Sequence, residues 1–294
     1  MFFVSGITGK VGGAAATRLL NAGKPVRALV RDATQAAHWA DRGVELREGS
    51  LTDGAALADA LQGVDAAFLM QPTPFAVTPD FPEARAITAG IVSGLRQVQP
   101  SRLVILSSIG SERPGGLGNI NQTQILEAAL ADYQRPVAIV RAGSFLENYI
   151  PSLDRARGTG VFDSFLQPTF RRFPMVASQD IGRVVAELLA SEWSGRRVIE
   201  LGTPTSPDDL AAAMARVLHR EVVARAIPRD AWTPALASIG LPADSIGPWE
   251  EMQDGFNSGW IDFGAPGAEI VRGTVTPSAV FAGVAAGAPG RAGP

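Results

Sequence analysis

VSGITGKVGG (residues 4–13) sets Gly6, Gly9 and Gly12 between an apolar run at 2–4 and an Ala/Leu-rich helical pattern at 11–20. A strand that ends in a tight turn needs a residue tolerant of positive φ, and a backbone that approaches a pyrophosphate needs residues without a Cβ. Glycine meets both demands. The following helix presents unsatisfied N–H groups and the positive end of its dipole to an anion, so the spacing predicts a phosphate cradle. Thr8, Lys10 and Val11 complete the loop and, with the three glycines, are its expected contacts.

Working outward, apolar runs and helical periodicity alternate. Strands are expected at 25–30 (PVRALV), 44–47, 66–70, 102–106 (RLVIL) and 137–140, with helices at 33–41, 54–61, 83–98 and 122–131 between them. That order predicts parallel β/α units with right-handed crossovers: an α/β protein with a Rossmann-type doubly wound parallel sheet. From about 145 the alternation loosens, with proline, glycine and aromatics over 158–174 (GTGVFDSFLQPTFRRFP). A helix at 181–190 and a strand at 197–201, expected to rejoin the sheet, are followed by a helix at 207–218, a strand at 221–226 and helical pieces at 230–239 and 249–258. The expected organisation is a nucleotide-binding domain from 1–150 plus about 175–204, a smaller α+β C-terminal substrate lid from about 151–174 plus 205–285, and a disordered tail at 286–294.

Composition narrows the chemistry. The chain has 294 residues, 46% hydrophobic and 19% charged, with a net charge of -3, which gives no reason to expect a nucleic-acid partner. It has no cysteine, which excludes disulfides, thiolate nucleophiles and thiolate metal sites together. His38 and His219 are the only histidines and lie in unrelated segments, so no protein-built metal site is expected. No apolar stretch approaches the roughly 20 residues that span a bilayer, and the start lacks the basic segment and cleavage site of a signal peptide. These features lead to the expectation of a cytoplasmic protein; a small-molecule substrate and a monomer or homodimer are expected beside it. Lys10 and Lys24 are the only lysines, so no mechanism can call on a lysine elsewhere.

The second strand ends LVRD, with Arg31 where a dinucleotide's ribose would be read and Asp32 one step on. A carboxylate there suits a ribose 2′-OH, whereas a guanidinium can grip a 2′-phosphate with two charge-assisted hydrogen bonds. Arg31 therefore predicts NADP(H) over NAD(H). Strand carboxyl ends face the ligand crevice, which makes Ser50 and Leu51, then Met70, Gln71 and Pro72, then Ser107 and Ser108 cofactor candidates by location, with Ile109 beside them as a substrate contact.

Four segments, GITGKVGG (6–13), LVRD (29–32), VILSSIGSE (104–112) and VRAGSFLENY (140–149), together resemble the NmrA-like group of atypical short-chain dehydrogenases. DIGRVVAELL (180–189) looks like that family's helix returning to the core, and the likeness runs to about residue 285. The group includes NAD(P)H-dependent quinone, azo-dye and triphenylmethane reductases as well as redox-sensing regulators. Typical short-chain dehydrogenases carry a catalytic Tyr-x-x-x-Lys, and the resemblance aligns Asn119 and Thr123 with that pair. Neither replaces it, because asparagine does not titrate and threonine carries no charge. The only tyrosines, Tyr133 and Tyr149, are followed four residues on by Val137 and Leu153.

Hydride delivery to a simple ketone makes an alkoxide and needs a positioned acid. A quinone, azo bond, iminium or enone is less demanding: a phenol-like product, for example, has a pKa of about 10 and takes its proton from water. Positioning then supplies most of the rate enhancement. The expected function is NADPH-dependent hydride transfer to such a conjugated electrophile. Phe145, Asn148, Tyr149, Phe165 and Trp249 are expected around the substrate, with Phe162 and Phe170 as further aromatic candidates and Tyr149 as the one candidate acid nearby. Two readings stay open beside this one: a regulator that binds NADP without turnover, and an isomerase or cyclase on the same scaffold.

Overall fold

The computed structural model describes residues 1–285; the tail at 286–294 lies outside them. Its first half is a run of β/α units: β1 (Phe2–Val4), α1 (Lys10–Asn21), β2 (Val26–Val30), α2 (Ala37–Ala40), β3 (Glu45–Glu48), α3 (Gly54–Leu61), β4 (Ala66–Leu69), α4 (Pro82–Gln97), β5 (Arg102–Ser108), α5 (Asn121–Ala129) and β6 (Val137–Ala142). The remainder holds β7 (Ser144–Phe145), α6 (Ser152–Thr159), β8 (Val161–Ser164), β9 (Phe173–Val176), α7 (Ser178–Ala190), β10 (Arg196–Leu201), β11 (Thr203–Thr205), α8 (Pro207–Leu218), β12 (Val223–Ala226), α9 (Trp232–Ser238), α10 (Ala243–Ser258), β13 (Glu269–Val271) and α11 (Pro277–Ala285).

Eight strands form one sheet in the order β13-β10-β6-β5-β4-β1-β2-β3, every neighbouring pair parallel. The chain runs outward from β1 through β2 to β3 and then crosses to β4 on the other side of β1. The β1/β4 junction is therefore the topological switch point, where open α/β sheets bind ligands.

Side chains alternate across the sheet with period 2. Phe3, Ala67, Leu69, Leu103, Ile105, Val137 and Ile139 point to a core closed by α3, α4 and α5, and Val4, Phe68, Val104, Leu106, Ala138 and Val140 to one closed by α1 and α7. At the second face α1 and α7 touch backbone to backbone. A Cβ on Gly182 would fall 2.5 Å from Ala14 Cβ and 2.8 Å from Ala15 N.

A second apolar core lies beyond the carboxyl edge of the sheet. It joins Ile109, Leu117, Ile120 and Leu146 to Leu153, Phe162, Phe173, Leu210, Met214, Phe256 and Phe281. Two small sheets frame it, β11-β9-β7 and β12-β8.

Where the structure departs from the spacing, the cause is local. The helix expected at 33–41 shrinks to Ala37–Ala40, because the Asp32 carboxylate accepts from the Thr34 and Gln35 N–H groups and makes a turn first. β5 and β6 run two residues further than their apolar cores, which places Ser107 and Ser108 inside a strand. β13 has three residues, too few for a period to show.

The last segment is pinned by a buried carboxylate. Asp180, 1% exposed at the start of α7, accepts from Thr274 N–H, Val275 N–H and the Thr274 hydroxyl, each at 2.8 Å. Burial pushes its carboxyl up, but those hydrogen bonds and Arg183 outweigh it and hold the group below its ordinary 3.8. Asp180→Asn is expected to lower stability by about 2 kcal/mol near neutral pH, read as a lower urea midpoint. A carboxyl depressed by folding stabilises above its unfolded value and stops doing so as pH falls through its folded one. The gap between variant and wild type should therefore close below about pH 3.8.

Candidate functional site

The glycine loop sits at the switch point. Gly6 takes φ +62°, and the Met70 side chain packs over it, its sulfur 3.2 Å from where a Cβ would stand. The Ser5 hydroxyl accepts the Met70 N–H at 2.9 Å and so clips the loop to the end of β4. Gly12 lies behind the loop, against the Gly6 and Ser5 carbonyls. The first turn of α1 is left open: Gly9 occupies the cap with no side chain to bond the leading N–H groups, and Thr8, Gly9 and Lys10 are exposed. Val11 is buried, which leaves its backbone as the part that can meet a phosphate. Uncapped amides, a cradle that a Cβ would fill and an adjacent lysine fit the pyrophosphate of a dinucleotide.

At the end of β2, Asp32 is occupied by its own turn. Hydrogen bonds from the Gln35 N–H, then the Gln35 amide and Thr34, hold its carboxyl below the ordinary range. Arg31 is exposed and forms no ion pair with Asp32 or any other acid among the described residues. Arg31 directly follows β2, at the carboxyl edge of the sheet. Ser50 and Leu51, both half-buried, follow β3, where the Ser50 hydroxyl lies 2.8 Å from that of Thr52.

The structure turns several candidate side chains toward the protein. Gln71 is buried, donating to the Gln122 carbonyl and accepting from the Thr88 hydroxyl, so its amide ties α4 to α5 while Pro72 beyond it is exposed. Ser107 shares the face of Leu103 and Ile105, and its hydroxyl donates to Glu127 at 2.8 Å. The Ser108 hydroxyl donates to the Ile109 carbonyl at 3.1 Å, and Ile109 is buried in the second core.

Glu127 belongs to a buried cluster that spacing did not reveal. Arg141, 6% exposed near the end of β6, pairs with Glu127 and, at 3.1 Å, with Glu112. Burial works against its charge, but these partners and Glu200 outweigh it and raise its pKa. The cluster fixes α5, and the turn before it, against the carboxyl ends of β5 and β6. Its members lie on three separate elements, so no local pattern could have gathered them.

Asn119 sits in the short 3-10 turn Gly118–Ile120, and among the described residues its buried side-chain oxygen has no hydrogen-bond partner. Thr123, in the first turn of α5, donates to the Ile120 carbonyl at 2.9 Å and lies 3.1 Å from the Ser111 hydroxyl. Gly118 presses this turn onto α10: its N–H donates to Glu251 at 3.0 Å, and a Cβ would overlap the Pro248 carbonyl. Tyr149 ends the turn Leu146–Tyr149, half-buried, edge-on to Phe162 at 5.9 Å and 3.4 Å from the Ser144 hydroxyl. Burial pushes its phenol up to about 12, with the Ser144 contact opposing. Asn148 beside it is exposed, and Phe145 packs against the α1/α7 core. Phe165 and Trp249 meet edge to face at 4.5 Å.

A glycine loop at the switch point of a parallel sheet, with a smaller unit beyond its carboxyl edge, defines a Rossmann-type α/β protein. The NmrA-like family model matches residues 2–258, and the chain belongs to the NmrA-like family. It is 33% identical over 225 residues to (4-alkanoyl-5-oxo-2,5-dihydrofuran-3-yl)methyl phosphate reductase of Streptomyces griseus, covering 75% of this chain and 74% of that one. It is 26% identical over 249 residues to NAD(P)H azoreductase of Xenophilus azovorans, covering 82% of each. The fold matches the NADPH complex of an NADPH-dependent quinone oxidoreductase from Escherichia coli with a TM-score of 0.77 at 21% identity, over 97% of this chain and 99% of the other.

Among the described residues no helix is long and apolar enough to cross a membrane.

Proposed function

We propose that this chain is an NADPH-dependent oxidoreductase that passes hydride to a small conjugated electrophile of quinone, azo, iminium or enone type without a Tyr-x-x-x-Lys relay. The observation that carries this reading is one sheet edge with two unlike ends. A phosphate cradle stands open at β1, while Asn119 and Thr123 follow β5 where an acid pair would be needed for a simple ketone. Relatives named for azo, dihydrofuranone and quinone chemistry support the choice of acceptor.

Bound at the switch point, the reduced nicotinamide supplies the hydride. Gly6, Thr8, Gly9, Lys10, Val11 and Gly12 hold the pyrophosphate through backbone N–H groups and the Lys10 ammonium, and Arg31 takes the 2′-phosphate. Residues 1–150 plus about 175–204 carry the nucleotide, and about 151–174 plus 205–285 cover the acceptor. The apolar lid excludes water from donor and acceptor and aligns them. A phenol-like product is protonated by solvent as it leaves.

Steady-state NADPH oxidation over a panel of quinones, azo dyes and enones tests the reading, with product mass two hydrogens above substrate. Tight NADPH binding with no oxidation by any acceptor would overturn it, as would a product of unchanged mass. Tyr149→Phe is expected to keep turnover of a model quinone within about twofold, since the product needs no protein acid. The wild-type rate should show no inflection from Tyr149 below about pH 12.

A further inference from the structure

We propose that Phe75, in the loop between β4 and α4, is a specificity-determining residue whose ring stacks on a flat aromatic acceptor at the mouth of the crevice. The proposal rests on the reading above and names the feature that selects among conjugated acceptors.

The loop leaves β4 at the switch point, where Met70 covers Gly6, and five residues later brings Phe75 to the surface with 51% of it exposed. An exposed ring alone says little. What distinguishes this one is how it is held. Pro72, Pro74 and Pro79 restrict the loop backbone. The Ser245 hydroxyl accepts the Val77 N–H at 3.0 Å and donates to the Val77 carbonyl at 2.8 Å, a buried clasp to the first turn of α10.

One helical turn beyond Ser245, Trp249 meets Phe75 edge to face at 6.4 Å. Phe165 braces Trp249 at 4.5 Å and itself meets the fully buried Trp232 at 5.8 Å. Four rings thus run in a row from the fully buried Trp232 to the half-exposed Phe75, in the loop that follows the strand beside the glycine loop. The loop then re-enters α4 through Asp80 and Phe81 at φ +62° and +54°, left-handed values that non-glycine residues rarely adopt. An extended π-face gains from stacking on such an anchored ring, and a small enone has little face to offer.

The test compares wild type with Phe75→Ala and Phe75→Leu. Calorimetry with 1-naphthol, a hydroxyarene that cannot be reduced here, in saturating NADP+ should show about tenfold weaker binding in Phe75→Ala, an intermediate loss in Phe75→Leu, and NADP+ affinity within about twofold throughout. kcat/KM for 1,4-naphthoquinone should fall about tenfold and that for 2-cyclohexenone stay within about twofold. Ser245→Ala, which removes the clasp on the loop but none of the four aromatic side chains, should lose part of the naphthol affinity. Unchanged naphthol binding in Phe75→Ala, no naphthol binding by wild type, or equal losses for both acceptors overturns the proposal. If wild type reduces no acceptor while naphthol binding still depends on Phe75, the reductase reading fails and the aromatic site stands.

Discussion

Gly12→Ala is expected to abolish measurable NADPH binding and to lower the melting temperature. A Cβ at this position falls 2.3 Å from the Gly6 carbonyl oxygen and 2.6 Å from both the Gly6 carbonyl carbon and the Ser5 oxygen. All three are backbone atoms, so no rotamer change relieves the overlap and the loop itself must shift. Overpacking of this kind costs about 1–3 kcal/mol, and backbone neighbours put it at the upper end. In a chain of this size that corresponds to a melting temperature lower by roughly 5 °C. Gly115, where a Cβ meets nothing within 4 Å, is the matched control, and Gly115→Ala should bind and melt like wild type. Calorimetry with NADPH and a thermal melt read the two effects separately. A Gly12→Ala protein that binds NADPH normally would show that the phosphates lie elsewhere.

Arg31→Ala should raise the Kd for NADPH by about tenfold or more and leave that for NADH within about twofold, on the ordinary worth of charge-assisted hydrogen bonds. Asp32 does not blunt the effect, because its carboxylate is committed to the Thr34 and Gln35 amides. The Arg31 cation is therefore available to a 2′-phosphate without first breaking a pair. Because the site is exposed, the wild-type preference should shrink as salt rises. Equal affinities for the two cofactors in wild type, unchanged by the substitution, would remove Arg31 from the nucleotide site.

Much of this architecture is legible from local spacing because a β/α unit is a local object. An apolar run, a turn residue and a helical stripe lie within a few dozen residues of one another, and Gly6, Gly9 and Gly12 carry both the turn and the close approach within seven. Side-chain destinations are less local. Period 2 puts Ser107 and Ser108 on opposite faces of β5, yet nothing near them says which face holds Glu127. Gln71 ends a strand, as a cofactor contact would, but its amide bonds to α4 and α5. Phe75, a phenylalanine among prolines, carries no local signal, and its significance comes from Ser245 and Trp249 on a helix late in the chain.

From the amino-acid order alone came the parallel α/β alternation, the glycine loop, the arginine after the second strand, and the absence of lysine beyond the first unit with no Tyr-x-x-x-Lys anywhere. Each is a statement about residue type or short-range period. Only the tertiary structure decided that Arg31 stands free of Asp32, that Arg141 gathers Glu112 and Glu127 beneath the strand ends, that Asp180 holds the segment after β13, and that Phe75 heads a row of rings. These depend on which distant groups share a buried volume, and that is settled by packing the whole chain: a buried charge needs a partner and a ring needs a surface, wherever along the sequence they are found.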